Sequence, residues 1–163
     1  MKKLYLLLFA AVLFAGQAIA QCVPDPTITA SGIYPDSATG LPHAYVGVPY
    51  STELQVRVPL DTTYSGLPAV IVSIDVDNIT GLPPGFSYTC NPSSCSYPGG
   101  SNGCMNVSCA SPVASGVYPI VVNMTVHGTV FGFPQSTPET NSNYTIYIED
   151  NVAVFGPSVN VFN

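Results

Sequence analysis

The sequence predicts an all-β protein, an antiparallel β-sandwich of about seven strands preceded by a signal peptide. First, 16 Pro and 14 Gly punctuate a chain in which only 7% of residues are charged, and this composition favours strands and turns over helices. Second, apolar and polar residues alternate along several short segments, which is typical of strands that are buried on one face. Third, turn signals recur about every 8 to 12 residues, the spacing expected of a sandwich.

Residues 1–20 have the three parts of a secretory signal peptide. Met1–Lys3 is basic, Leu4–Ala15 is apolar, and Ala18–Ala20 provides the small residues of a cleavage site. The apolar run is too short for a permanent membrane anchor, so we predict export with no transmembrane segment after removal of the signal. The rest of the chain is predicted to contain an N-terminal extension with an edge strand (21–44), the sandwich (45–150) and an apolar tail (151–163).

Six segments have the period-two alternation of strands. They are Ser51–Val58, Ala69–Asp77, Phe86–Cys90, Cys104–Ser108, Tyr118–Val126 and Tyr144–Ile148. In the second segment the alternation predicts that Val70, Val72, Ile74 and Val76 face inward. Residues 127–143 have two interpretations, either a continuation of the long strand into a hairpin or a long exposed loop.

The charge balance excludes several classes of partner. Without Lys2 and Lys3, which belong to the signal, Arg57 is the single basic residue against nine acidic ones. Nucleic acids and anionic membranes are bound through clusters of Lys and Arg. The predicted partner is therefore an extracellular protein or a glycan, and no cofactor is predicted.

Three turn motifs occur in an informative order: Gly47–Tyr50 (GVPY), Gly81–Phe86 (GLPPGF) and Ser111–Tyr118 (SPVASGVY). Their order resembles the Ig-like or cadherin-like repeats of bacterial surface proteins. The cysteine-rich loop resembles a subset of these repeats found in exported Bacteroidota proteins that carry a type IX secretion sorting domain. The resemblance implies an Ig-like β-sandwich over about residues 45–150, and an extracellular or outer-surface location. A periplasmic location is expected if no sorting domain follows Asn163.

Five cysteines in an exported chain predict disulfides. Cys104 and Cys109 are too far apart on an extended strand to pair, about 16 Å against a limit of about 7 Å. Cys90 ends one strand and Cys104 begins the next, which favours Cys90–Cys104 together with Cys22–Cys95. The alternative, Cys95–Cys104 with Cys22–Cys90, is nearly as well supported. In both, Cys109 is a free or intermolecular thiol.

No catalytic site is predicted. His43 and His127 have no nucleophile motif near them in sequence, and no cysteine spacing suggests that they bind zinc. Asp75 and Asp77 form a weak candidate calcium site because hard cations bind clustered carboxylates. The alternative is a solvated strand face, so no metal is assigned.

Three aromatic residues are candidates for a ligand-binding face: Tyr97 in the cysteine loop, and Phe131 and Phe133 in the segment after the long strand. The sequence therefore favours a non-catalytic extracellular Ig-like module that acts in adhesion, in protein interaction or as a spacer. One alternative is a carbohydrate-binding module that uses these aromatic residues. The other is an assembly subunit whose apolar tail (151–163) adds a strand to a neighbouring chain.

Overall fold

The computed structural model describes residues 22–151, and all regular secondary structure in this part of the chain is β. The all-β prediction is confirmed there. No helix long and apolar enough to cross a membrane occurs between residues 22 and 151. The predicted signal peptide and all of the predicted tail except Asn151 lie outside the described residues. The strands are β1 (Gly32–Tyr34), β2 (Ala44–Tyr45), β3 (Tyr50–Arg57), β4 (Asp61–Tyr64), β5 (Leu67–Thr80), β6 (Ser87–Asn91), β7 (Ser96–Pro98), β8 (Asn102–Cys109), β9 (Gly116–Val130) and β10 (Phe133–Glu149).

The strands form two sheets. The first has the order β1-β3-β8-β6, and the second has the order β2-β10-β9-β5-β4, with β7 also paired to β5. Every pairing is antiparallel except that of β2 with β10, which is parallel. Of the two interpretations of residues 127–143, the hairpin is right, because β9 and β10 pair from Val130 opposite Phe133 to Gly116 opposite Ile148.

The two sheets share one apolar core. Leu54 and Val107 contribute from the first sheet, and Ile71, Ile120 and Ile146 contribute from the second. All five side chains are buried. Burial of an aliphatic side chain of this size contributes about 1.5–3 kcal/mol, so this shared core is the main source of stability.

A β-bulge in β5 overturns part of the predicted facing. Ile74 and Val76 pack against the core as expected, but Val70 and Val72 are 44% and 55% exposed, and Ile71 is buried instead. The pairing with β9 shifts register between Ile71 and Ser73. Since one extra residue moves the following side chains to the other face, the single period predicted across this strand was wrong.

The N-terminal extension lies along the first sheet. Its edge strand, β1, pairs with β3. Before β1, the Asp25 N–H donates to Gln55 Oε1 at 2.9 Å, and Asn102 Nδ2 donates to the Asp25 and Ile28 carbonyls. Asn91 Nδ2 donates to the Cys22 carbonyl at 2.9 Å. The extension is therefore held to strands of the first sheet along much of its length.

Candidate functional site

Two disulfides join the predicted cysteines in a different arrangement. Cys22 pairs with Cys104 at a Cα–Cα distance of 6.0 Å, and Cys90 pairs with Cys95 at 5.2 Å. Both predicted connectivities, Cys90–Cys104 with Cys22–Cys95 and Cys95–Cys104 with Cys22–Cys90, were wrong. Cys109 forms no disulfide within the described residues and is buried.

The register between β6 and β8 explains the correction. Cys90 lies opposite Met105, and Asn91 lies opposite Cys104. Because facing residues point to the same side of a sheet and successive residues alternate, Cys90 and Cys104 are on opposite faces. Cys90 shares the core face with Met105, whereas Cys104 faces the N-terminal extension, where Cys22 meets it.

The short bridge is closed by a tight turn. Cys95 has a positive φ of 55°, and its N–H donates to the Pro92 carbonyl at 2.9 Å. This turn reverses the chain directly after β6, which brings Cys95 back to Cys90 over only five residues. The alternation pattern predicts strands only and does not indicate this turn, so the predicted pairings missed it.

Tyr97 is not part of an exposed ligand face. Only 1% of this residue is accessible, and its hydroxyl donates to the Cys104 carbonyl at 3.0 Å. Burial raises its pKa to about 12. Its ring lies against Gly103, where an added Cβ would come within 2.2 Å of Cδ1 of the ring. The prediction was wrong because β7 pairs with β5 and directs this ring into the core.

Phe131 and Phe133, in contrast, are 74% and 71% exposed. Phe131 and Gly132 form the two-residue turn between β9 and β10, with φ values of 50° and 82°. Positive φ at both positions is the mark of a type I′ hairpin turn. The left-handed conformation costs a residue with a side chain roughly 1–2 kcal/mol, so turn formation alone does not favour phenylalanine at position 131.

A second turn of the same kind lies at the same end of the second sheet. Ser65 and Gly66 connect β4 to β5 with φ values of 50° and 79°. The pairing of Ala69 with Val130 brings this turn beside the Phe131–Gly132 turn. Tyr64 and Leu67, which flank the second turn, are 42% and 43% exposed. We call this part of the molecule the hairpin end.

A shallow groove crosses the sheet at the hairpin end. One row of paired residues runs across four strands, Thr62, Ala69, Val130 and Phe133, so these side chains share the face of the buried Ala69. The groove is lined by uncharged residues, which include Thr62, Tyr64, Ala69, Gly128, Val130, Gln135 and Thr137. We call it the hairpin-end groove.

The opposite face of the second sheet carries a polar row. Ser96 Oγ donates to Asp75 Oδ1 at 2.6 Å, His127 Nε2 lies 3.3 Å from Asp75 Oδ2, and His127 Nδ1 lies 2.8 Å from Ser136 Oγ. The hydrogen bond from Ser96 is the main cause that lowers the pKa of the Asp75 carboxyl. This group could not be recognised from the sequence because Asp75 and Ser136 are far apart in the chain.

This row brings together a serine, a histidine and a carboxylate, but on an open strand surface. The His127 and Asp75 side chains are 39% and 36% exposed. Cross-strand hydrogen bonds of this kind stabilise neighbouring strands. The expectation that the chain is not an enzyme stays a prediction.

The weak calcium candidate is occupied by protein hydrogen bonds. Asp75 is engaged as described, and Asp77 Oδ2 accepts a hydrogen bond from Thr125 Oγ1 at 2.9 Å. Between residues 22 and 151, no group of three or more His, Cys, Asp or Glu side chains is arranged to hold a metal ion. In the described part of the chain, Asp75 and Asp77 are therefore not joined by a further His, Cys, Asp or Glu side chain that could complete a calcium site.

An internal cavity of about 90 Å³ lies between the sheets. Its lining is apolar and includes Leu54, Ile74, Met105 and Met124. Water in a cavity needs two or more polar partners, so this one is expected to be dry. It is a packing gap in the shared core.

No protein-family model matches the sequence, and a search of curated proteins found no match. Function is therefore inferred from the geometry. The two disulfides are typical of an oxidising, extracytoplasmic environment.

Proposed function

We propose that this chain is a non-catalytic Ig-like β-sandwich module of a secreted or cell-surface bacterial protein, acting in adhesion, in protein interaction or as a spacer. The observation that carries the proposal is the hairpin end, where Phe131 and Phe133 are mostly exposed on a framework held by two disulfides. Clustered apolar side chains in water are a liability unless they bind something.

The position of Phe131 supports a recognition role. A type I′ turn prefers Asn, Asp or Gly, whose left-handed conformation costs little. A phenylalanine at φ 50° gives up local stability. A role of the Phe131 ring in contacting a partner would explain why phenylalanine occupies a turn position that disfavours it.

The compartment follows from the signal-like N-terminus together with the disulfides. The Cys22–Cys104 and Cys90–Cys95 disulfides support an oxidising, extracytoplasmic environment. The acidic chain with one cation after the signal supports a partner other than nucleic acid. These observations support the proposed location at the outer surface or in the extracellular space, or in the periplasm if no sorting domain follows.

The test is adhesion of beads that carry the oxidised protein. Beads are passed in flow over surfaces coated with fibronectin, collagen or mucin, and retention is counted. We expect retention on at least one surface, reduced about tenfold by Phe131→Ser with Phe133→Ser, because exposed aromatic anchors dominate binding energy.

The control variant is Val113→Ser with Val117→Ser. These residues are similarly exposed, at 70% and 64%, and Val117 lies at the far end of β9. The control should retain wild-type adhesion. Equal adhesion of the phenylalanine variant and the wild type, or no retention on any surface, would contradict the recognition role proposed for the hairpin end and would leave only the spacer role.

The assembly alternative depends on the apolar tail, of which residues 152–163 lie outside the described part of the chain. Strand addition by a neighbouring chain is also disfavoured at the free edge of β10. Strand β10 pairs with β2 only at Ile148 and Glu149, which leaves the preceding edge free, but Pro134 and Pro138 lie along that edge. Proline has no N–H to offer an added strand.

The carbohydrate-binding alternative is favoured by one specific observation, the hairpin-end groove. It combines an exposed aromatic residue, Tyr64, with uncharged polar side chains such as Gln135.

A further inference from the structure

We infer that the hairpin-end groove binds a neutral polysaccharide chain, with Tyr64 and Phe133 as stacking platforms and Gln135 as a hydrogen-bonding group. This inference rests on the proposed function, because it names the class of partner that the hairpin end recognises. Nothing in the sequence had indicated Tyr64, and the buried Tyr97 has no part in the site.

Tyr64 lines the groove on one side, and Phe133 shares its face of the sheet on the strand that bounds the other side. Tyr64 belongs to β4 and Phe133 to β10, and β5 and β9 lie between them. Three strand spacings of about 4.8 Å separate β4 from β10 by about 14 Å. This width accommodates several sugar rings rather than one, so a chain is expected instead of a monosaccharide.

The floor between them is apolar and is formed by the two central strands. Ala69 and Ile71 of β5 and Gly128 and Val130 of β9 line it, and Ala69 and Gly128 are its smallest residues. A ligand between the two rings would therefore rest on apolar side chains. Concave sites with apolar walls and a few polar groups are the usual form of small-ligand sites in proteins.

Three polar side chains line the same groove: Thr62, Gln135 and Thr137. None of them makes a side-chain hydrogen bond to another residue in the described part of the chain. Their hydroxyl and amide groups can donate and accept, which matches the hydroxyl groups of a sugar. No charged residue lines the groove, which matches a neutral ligand better than an anionic one.

An extended peptide is the main competing ligand, and the adjacent edge disfavours it. A peptide that binds by strand addition needs a row of backbone donors. In β10, Pro134 and Pro138 pair with Thr129 and Thr125 of β9. Since proline is tolerated in a sheet where its nitrogen faces away from the neighbouring strand, we expect both nitrogens to face the free edge. The two prolines remove about half of the backbone N–H donors along this part of the β10 edge. A ligand here therefore has to be bound through side chains.

An apolar protein surface is the other competitor. It would cover Gln135 and Thr137 and leave their polar groups without partners, which costs binding energy. A sugar ring has both an apolar face for the aromatic rings and hydroxyl groups for the amide and hydroxyl side chains. The groove's combination of these two features favours the sugar.

The test is affinity electrophoresis of the oxidised protein in gels that contain laminarin, xylan, mannan or dextran. We expect at least one of these neutral polysaccharides to retard the wild type. Tyr64→Ala and Phe133→Ala should each weaken binding about tenfold, because each removes one stacking contact. All variants are checked for an unchanged thermal unfolding midpoint, since both side chains are exposed and far from the core.

Two further variants identify the kind of ligand. Gln135→Leu keeps the size of the side chain but removes the amide, so it should weaken polysaccharide binding, whereas it would preserve or strengthen an apolar protein contact. Tyr45→Ala is the matched control, because Tyr45 is 43% exposed but lies on β2, at the other end of the second sheet. The control should bind as the wild type does.

Three results would overturn the inference: no retardation by any of the four polysaccharides, an equal loss in Tyr45→Ala, or full binding by Gln135→Leu. Its failure is distinguishable from that of the proposed function. If beads still adhere through Phe131 and Phe133 while no polysaccharide retards the protein, the adhesion proposal stands and the groove inference fails. If neither adhesion nor retardation occurs, both fail.

Discussion

The two disulfides should contribute very unequally to stability. Cys22 and Cys104 are separated by 82 positions in the chain, and Cys90 and Cys95 by five. A cross-link stabilises mainly by restricting the unfolded chain, and the effect grows with the logarithm of the loop length. By the loop-entropy relation, the long bridge contributes about 4.5 kcal/mol at 25 °C and the short one about 2 kcal/mol.

The prediction is tested by removing both partners of one bridge at a time. Cys22→Ser with Cys104→Ser should lower the free energy of unfolding by about 2.5 kcal/mol more than Cys90→Ser with Cys95→Ser, as measured by urea denaturation. The first pair also removes the covalent attachment of the N-terminal extension to β8, which should increase the loss further. Comparable losses for the two variants, or a larger loss from the short bridge, would refute the loop-length reasoning.

Three further predictions concern burial, pH and edge protection. Gly103→Ala should lower the free energy of unfolding by about 1–3 kcal/mol in urea denaturation, because the added Cβ would lie 2.2 Å from the Tyr97 ring; an unchanged midpoint would contradict the packing. Burial raises the pKa values of Tyr50 and Tyr97 from 10.0 to about 12. The folded protein therefore keeps these protons after the unfolded chain has lost them, so stability should be full below about pH 10 and fall towards about pH 12. Equal urea midpoints at about pH 9 and about pH 11.5 would count against it. Pro134→Thr with Pro138→Thr should restore backbone donors to the free edge of β10 and produce concentration-dependent association in size-exclusion chromatography with light scattering; a variant that stays as monodisperse as the wild type would show that the prolines do not protect this edge.

Much of the strand layout could be predicted because alternation is a local signal. The predicted segment Ser51–Val58 differs from β3 by one residue at each end, and Cys104–Ser108 lies within β8. In these two segments apolar and polar residues alternate without interruption, so a period of two residues describes the facing of every side chain. In β5 the alternation breaks at a bulge after Ile71, and the inserted residue leaves no mark in a pattern that is apolar on both sides of it.

The disulfide pairing failed for a related reason, although the sequence contained part of the answer. In the predicted strand Cys104–Ser108, Met105 and Val107 alternate with polar residues, so an inward-facing Met105 places its neighbour Cys104 on the outer face. Cys90, two residues after Tyr88, belongs to the inner face. Applying the alternation to the cysteines themselves would have excluded Cys90–Cys104. The turn that joins Cys90 to Cys95 depends on a left-handed residue other than glycine, for which the sequence gives no reliable signal.

The candidate site was harder to predict because it depends on pairing between distant strands. Phe131 and Phe133 could be selected as aromatic residues in an uncertain segment. Tyr64 joins them only because β4 lies in the same sheet, separated from β10 by β9 and β5. Asp75, His127 and Ser136 likewise meet through the registers of β5, β9 and β10. Registers of this kind follow from the whole fold and leave no local trace.

The span of the Cys22–Cys104 bridge has a consequence for biogenesis. In a chain that emerges from a membrane pore N-terminus first, Cys22 is available long before its partner. Cys90 and Cys95 emerge next and can close at once over five residues, which removes two competing thiols before Cys104 arrives. Oxidation in the order of emergence thus leaves Cys22 to join Cys104, while Cys109 is withdrawn into the core. In a chain exported in this way, the short bridge would protect against mispairing during synthesis, although it contributes less to the stability of the finished protein.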